Sequence, residues 1–397
     1  MDWLWSFSLT GESAQALIAA GWLGGVVLAA WGGHRWRAAG WALVLTVALW
    51  WLLEVGWRPF PDRVDWRAYA AGSGIIFSLM CLRQRRRAVI ISVVLTTVAT
   101  LGTLNLVFQE YPTVRSFDPP QVAVPMGYAQ FRSMTHPPLL DGREVGALVT
   151  VDLPGSGFQP RPAVAYVPPA YWHGQRLPVM VLMAGNPGSP EQWFGPGEAA
   201  ETADAYQRSH AGAAPIVVSV DATGSFTGNP LCVDGPEHKV MTYLTQDVPS
   251  GLRSLFRASE DQSRWVIGGL SYGGTCALQV ATARPEAYGT FLDFSGQAEP
   301  TLGDHEETVA RFFGGQESVF AAHNPADLLA NRAYPHTRGR FVAGERDKES
   351  VAALTHLNDL ARAAGMDTRM STVPGGHSFE AWRVALAETF AWAVREK

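Results

Sequence analysis

Cysteine is nearly absent: three in 397 residues, too few for a disulfide scaffold or a zinc ribbon, although two of them could form one bridge. Charge is scarce as well, at 17%, which is low for an ordinary soluble protein. What charge there is lies unevenly. Residues 1–110 hold nine Lys and Arg against six Asp and Glu, whereas the remaining 287 residues hold 22 against 30. The part after residue 110 thus has no basic surplus, which argues against a nucleic-acid partner. Disorder is excluded too, because hydrophobic residues make up 47% of the chain. There is no internal repeat and no low-complexity tract.

Four early stretches lack Asp, Glu, Lys and Arg altogether: 13–34, 38–53, 68–82 and 88–109. A helix needs about 20 apolar residues to cross the hydrocarbon core, so the expectation is a transmembrane domain of about four spans. The spans are expected at about 13–34, 38–57, 68–82 and 88–108, with the short 68–82 segment the weakest. A signal peptide fits poorly, because the apolar segments recur and no small-residue cleavage pattern follows the first. Ten of the fifteen tryptophans fall in residues 1–110, and Trp31, Trp36, Trp50, Trp51, Trp57 and Trp66 gather near the proposed span ends. An interfacial aromatic belt has that distribution. Arginine sets the orientation. The first loop reads HRWR and the third RQRRR, whereas the second offsets Arg58, Arg63 and Arg67 with Asp62 and Asp65. Arginine excess marks the cytoplasmic side, so everything after the last span is expected outside the cell membrane.

A polar, Pro-containing linker is expected over 111–140, and a second domain over 141–397. Short apolar runs at 144–152, 163–168, 178–184, 215–220, 264–269, 290–295, 339–344 and 369–373 read as strands. Helical patterns fall at about 197–210, 243–257, 273–284, 350–364 and 379–395. Strands alternating with helices predict a mostly parallel sheet covered on both faces. The first two strands have no helix between them, which predicts an antiparallel pair at that edge.

The motif that carries chemistry is Gly269-Leu270-Ser271-Tyr272-Gly273, a G-x-S-x-G between an apolar strand and a helical pattern. Such an elbow needs glycines because the turn is sharp, and it lifts the serine hydroxyl above the sheet. A nucleophilic serine needs a base late in the chain, and His377 in VPGGHSFEAWRVAL stands between the last strand and the last helix. His305, His323 and His336 are weaker candidates. The orienting acid should follow the penultimate strand, where RFVAGERDKES offers Glu345, Asp347 and Glu349. Turn geometry favours Asp347. Oxyanion donors are expected from the backbone N–H of Tyr272 and from the loop VMVLMAGNPGSPEQW. Pro187 has no N–H, so Asn186 is the expected second donor, with Gly185 next.

Residues 140–397 resemble the esterase family of α/β-hydrolases that includes esterase D and the mycolyltransferase antigens of actinobacteria. The similarity rests on MAGNPGSPEQW, VIGGLSYGGTCAL and PGGHSFEAWRVAL. The opening MDWLWSFSLTG and the DATGSFTGNPLCVDG and YLTQDVP stretches look closest to membrane-anchored actinobacterial esterases. Ala184-Gly185 stands where a His-Gly-type pair is common. The resemblance implies an α/β-hydrolase fold, serine acyl-transfer chemistry, an extracytoplasmic site, and no metal or organic cofactor. Cys232, in the loop after the fourth strand, and Cys276, on the elbow helix, would both lie near the upper sheet edge. They are expected to form one bridge outside the cell; two small buried thiols are the alternative. Cys81 reads as a reduced membrane residue.

The expected function is a serine esterase or acyltransferase held at the outer face of the membrane and acting on a lipid-linked ester, an acyl-glycolipid or an aminoacyl-lipid. Membrane lipids are the expected partners. Mycolyl-type transfer to a sugar is an alternative, as are a peptidase and a catalytically silent scaffold on a hydrolase fold.

Overall fold

The apolar runs near the start fold as helices in the computed structural model, which describes residues 2–31, 35–60, 62–81 and 86–395. Helix α1 spans Glu12–Ala30, α2 spans Arg35–Trp51 and continues as a wide turn to Gly56, α3 spans Trp66–Met80, and α4 spans Arg86–Phe108. Arg83 and Arg85, which carry part of the orientation argument, lie outside the described residues, as do His34 and Lys397.

Among the described residues three helices, not four, are long and apolar enough to cross a membrane: Glu12–Ala30, Arg35–Gly56 and Arg87–Phe108. The expected span at 68–82 is corrected on length. Its helix has 15 residues, so it rises only about 22 Å against a core of about 30 Å. Helix α3 is nonetheless part of the bundle. Ala29, Ala38, Cys81 and Val89 pack together at one end. At the other, Glu54 accepts from the Tyr69 hydroxyl (2.8 Å) and the Val64 N–H (3.0 Å). The four helices therefore alternate in direction. Small polar groups join them: Ser78 and Ser92 hydroxyls meet at 2.7 Å, Ser92 donates to the Gly25 carbonyl (2.6 Å), and the Trp22 indole donates to the Ala71 carbonyl (3.0 Å). Polar side chains of this kind hold helices together where water is excluded. Outward-facing residues are large and apolar, among them Leu23, Trp41, Leu43, Val47, Ile90, Val94 and Val98.

Contacts divide the chain into two compact units, Met1–Pro119 and Pro120–Lys397. The segment expected as linker over 111–140 is thus shared between them. Its second half is structured: Ala123–Gly127 is a strand, β1, and Tyr128–Ser133 a short helix, α5. The remaining strands of the main sheet are β2 (Gly146–Val151), β3 (Ala163–Val167), β4 (Val179–Met183), β5 (Ile216–Val220), β6 (Val266–Leu270), β7 (Thr290–Phe294), β8 (Arg338–Gly344) and β9 (Asp367–Val373). The spatial order is β1-β2-β3-β5-β4-β6-β7-β8-β9. Strand β3 runs antiparallel to β2 and β5, and every other pair is parallel. The antiparallel pair expected at the edge is therefore one strand further in, with β1 outermost.

Helices α6 (Ala199–Arg208), α7 (Val248–Leu255), α8 (Tyr272–Ala283), α9 (His305–Phe312), α10 (Glu317–Ala321), α11 (Pro325–Asn331), α12 (Lys348–Ala363) and α13 (Phe379–Ala393) connect or cover the strands. Strands β4, β5, β6 and β7 are buried along their whole length, which is why they read as continuous apolar runs rather than as alternation. Two apolar layers flank the sheet, one around Val181, Val218, Ile267 and Cys276, the other around Leu182, Leu292, Leu386 and Phe390. The parallel strands all end on one edge, and in such sheets ligands bind there.

Candidate active site

Strand β6 delivers Ser271 to that edge. Ser271 has φ 51° and ψ −119°, a region L-residues avoid, and it sits between β6 and the first turn of α8. Strain of this size persists only where the surroundings over-determine it. Here the glycines of the motif do so. A Cβ on Gly269 would collide with the Gly273 backbone, and one on Gly273 with the Met183 carbonyl. The Ser271 N–H donates to the Phe294 carbonyl (2.7 Å), and the Ser271 carbonyl accepts from Gly274 (2.9 Å) and Thr275 (3.1 Å). The elbow is thereby tied to β7 on one side and α8 on the other.

His377 and Asp347 come from the loops after β9 and β8. Nδ1 of His377 lies 2.7 Å from Oδ2 of Asp347. The other oxygen of Asp347 accepts from the Ser350 N–H (3.2 Å), so the same carboxylate caps α12. Burial alone would raise the Asp347 pKa, but its bonds to His377 and Ser350 and the His377 charge outweigh it and hold the carboxyl below its ordinary value. Glu345 and Glu349 are exposed. The imidazole is also braced edge-on by Trp382, ring centroids 5.1 Å apart. His305 is elsewhere, bridging Glu299 (2.9 Å) and Glu317 (3.1 Å). His323 bonds the Val319 carbonyl and His336 is exposed.

Tyr272 is the first residue of α8, so its N–H has no acceptor within the helix. On the opposite side of β6, the loop after β4 approaches the serine: a Cβ on Gly185 would lie 3.4 Å from the Ser271 Cβ. Asn186 follows, 7% exposed, its side-chain N–H donating to the Gly228 carbonyl (2.8 Å). What stiffens this loop has no local signature. Arg161 donates to the Gly188 carbonyl (2.9 Å) and forks onto Asp221 (2.7 and 2.9 Å) and Thr223 (2.9 Å). Sixty residues separate Arg161 from Asp221, and no spacing pattern links them. Gln297 is the other neighbour absent from the sequence-based expectations; its Nε2 stands 3.4 Å from the Ser271 hydroxyl. Only the adjacency of β7 and β6 brings it there.

Cys232 and Cys276 are joined as a disulfide, Cα atoms 5.6 Å apart, and Cys81 is a free buried thiol. The bridge ties the loop after β5 to the helix of the elbow. Beside it the Tyr272 hydroxyl donates to the Ala222 carbonyl (3.1 Å) and accepts from the Cys232 N–H (3.2 Å). A closure over a sequence separation of 44 is worth about 4 kcal/mol at most. Intact-mass analysis after alkylation is expected to find both thiols blocked until reductant is added, and reduction should lower the Tm. Alkylation of both without reductant in folded protein would refute the bridge.

Behind the elbow lies a buried carboxylate. Asp293 on β7 pairs in register with Gly269, and its Oδ1 accepts from the Gly296 N–H (2.9 Å) while Oδ2 is unpaired. Burial pushes its pKa up to about 7. A folded value above the unfolded one means this group's stabilising contribution is complete below about pH 4 and is lost as pH rises through about 7. The Tm should therefore fall between about pH 4 and about pH 7, and level off above that, in a component that Asp293→Asn removes. Identical pH slopes in the two proteins would show that Asp293 does not titrate there. Among the described residues no group of three or more His, Cys, Asp or Glu is arranged to hold a metal ion.

Comparison with known proteins gives three consistent findings. The sequence model of the family described as Putative esterase matches residues 159–393. An uncharacterized protein of Corynebacterium glutamicum is 51% identical over 383 residues, covering 91% of this chain and 90% of that one. Among solved structures, an S-formylglutathione hydrolase from Agrobacterium tumefaciens superposes with a TM-score of 0.53 at 18% identity, over 63% of this chain and 94% of that one. The fluorophosphonate-binding serine hydrolase F of Staphylococcus aureus gives 0.52 at 15% identity, over 63% and 99%. At such identities the structural likeness speaks for the α/β-hydrolase fold.

Proposed function

This chain belongs to the Putative esterase family and is a serine hydrolase or acyltransferase, and on that premise we propose that it is a membrane-anchored, extracytoplasmic enzyme acting on a lipid-linked ester through Ser271, His377 and Asp347. Ser271 Oγ attacks the ester carbonyl. His377 takes the serine proton and returns it to the leaving alcohol, while Asp347 holds the imidazole and offsets its charge. The N–H groups of Tyr272 and Asn186 serve the tetrahedral oxyanion. The single observation that carries this is the 2.7 Å bond between His377 and Asp347 on the sheet edge where the strained Ser271 stands.

Three long apolar helices precede the hydrolase unit and support the anchor. The Cys232–Cys276 bridge supports the outer side, where disulfides persist, and so do Arg35, Arg37, Arg86 and Arg87 at the starts of α2 and α4. An exposed Phe226, whose carbonyl accepts from the Gly188 N–H of the oxyanion loop, supports an apolar substrate. The test is turnover by the full chain in lipid nanodiscs carrying either an acyl-glycolipid or an aminoacyl-lipid, with products read by mass spectrometry. Release or transfer of the acyl group from one of them, absent in Ser271→Ala, is expected. Turnover of water-soluble esters with both lipids left intact would overturn the lipid substrate. A C-terminal reporter that works only outside the membrane should be active, and its silence would overturn the topology.

A further inference from the structure

Gln297 lies three residues past the end of β7. Its backbone N–H donates to the Thr275 hydroxyl oxygen (2.9 Å), which leaves the hydroxyl hydrogen free to be donated to Gln297 Oε1, and the two side chains meet in that way. Thr275 is one turn into α8, four residues after Ser271. The carboxamide is thereby oriented: its oxygen faces Thr275 and its NH2 faces the nucleophile, with Nε2 3.4 Å from Ser271 Oγ. An ordinary N–H···O bond is about 2.9–3.0 Å, so the donor stands close to the serine without engaging it tightly.

Sheet order decides what such a donor can serve. Strands β7, β8 and β9 lie on one side of β6, and their loops carry Gln297, Asp347 and His377. Strand β4, with Gly185 and Asn186, lies on the other. The acyl oxygen belongs to the Asn186 side. The departing alcohol, and later the attacking water or acceptor alcohol, belong to the histidine side.

We propose that Gln297 is a further residue of the acyl-transfer reaction, its carboxamide N–H holding the oxygen that leaves and attacks. This rests on the serine-hydrolase assignment above. In acylation the substrate C–O bond breaks, and the departing oxygen receives the proton that His377 took from Ser271. In deacylation, water or an alcohol adds to the acyl carbonyl and gives its proton to His377. Collapse then breaks the C–Oγ bond, and that proton returns to Ser271. At both stages the oxygen directs its O–H toward His377 and one lone pair toward the acyl carbon. A donor such as Gln297 binds the second lone pair and fixes the approach.

The test compares Gln297→Leu and Gln297→Glu in the full chain by stopped flow on p-nitrophenyl acetate. The p-nitrophenolate leaves without needing a proton, so acylation reports the nucleophile and deacylation reports the attacking water. The burst rate should stay within about 3-fold of wild type, while the steady-state rate falls on the order of 10- to 100-fold in both variants, with the Tm preserved. Glu keeps the size and the oxygen facing Thr275 but lacks the N–H, so it cannot rescue. A steady-state rate within about 3-fold of wild type in either variant overturns the proposal. Equal losses in burst and steady state, or a loss that follows a lowered Tm in both variants, overturn it as well, because a structural role would produce them. A burst surviving in Ser271→Ala would instead overturn the nucleophile assignment, so the two failures are distinguishable.

Discussion

Replacing Ser271 with Ala is expected to cut ester hydrolysis by about 10⁴–10⁶-fold, the scale on which triad losses fall. The fold should not register the change. Ala carries the same Cβ into the same backbone conformation, so the strain at φ 51° neither grows nor relaxes. The bonds that fix the elbow, from the Ser271 N–H to Phe294 and from Gly274 and Thr275 to the Ser271 carbonyl, are all backbone. Activity on a short-chain chromogenic ester together with a thermal melt reads both outcomes. Retention of near wild-type activity would remove Ser271 from the mechanism. A large loss of Tm would mean that the hydroxyl has a structural role the elbow geometry does not account for.

Asp347→Asn is expected to lower kcat by about 10²–10⁴-fold, because an amide facing Nδ1 favours the wrong imidazole tautomer and offers no charge to the imidazolium. The substitution isolates that effect. Asp347 also caps α12 through the Ser350 N–H, and Asn caps helices about as well as Asp, so α12 should survive. Glu345→Gln and Glu349→Gln serve as controls, since both side chains are exposed. They should change kcat by less than about 3-fold. If either control drops activity while Asp347→Asn does not, the acid is misassigned.

Residue type and chain order alone make much of this site legible. The G-x-S-x-G between a strand and a helix, a histidine after the last strand and an acid after the penultimate one are local patterns, and each sits on its own short segment. What stays hidden depends on contacts between distant segments. Strand β1 does not read as a strand because Pro125 interrupts it; a proline is tolerated there only because β1 is an edge strand, and being an edge is a property of the whole sheet. The charge-free run at 68–82 reads as a fourth span, but its helix has only 15 residues and is held in the bundle through Ser78 and Ala71. Helices α9 and α10 and their flanks pack a small apolar cluster around Leu302, Val309, Phe313 and Phe320 against Leu231 and Val233, beside the disulfide. Their periods are too short to stand out as helices in the sequence. Arg161 and Asp221 stiffen the loop after β4 across the sheet, which no spacing rule could indicate.

Whether Ser271 is an activated nucleophile is decided by treating the purified, folded full chain with a fluorophosphonate probe and mapping the adduct by peptide mass spectrometry. One adduct is expected, on Ser271, lost in Ser271→Ala and slowed in Asp347→Asn. Folded protein that takes up no probe, or that carries the adduct on another residue, would contradict this assignment.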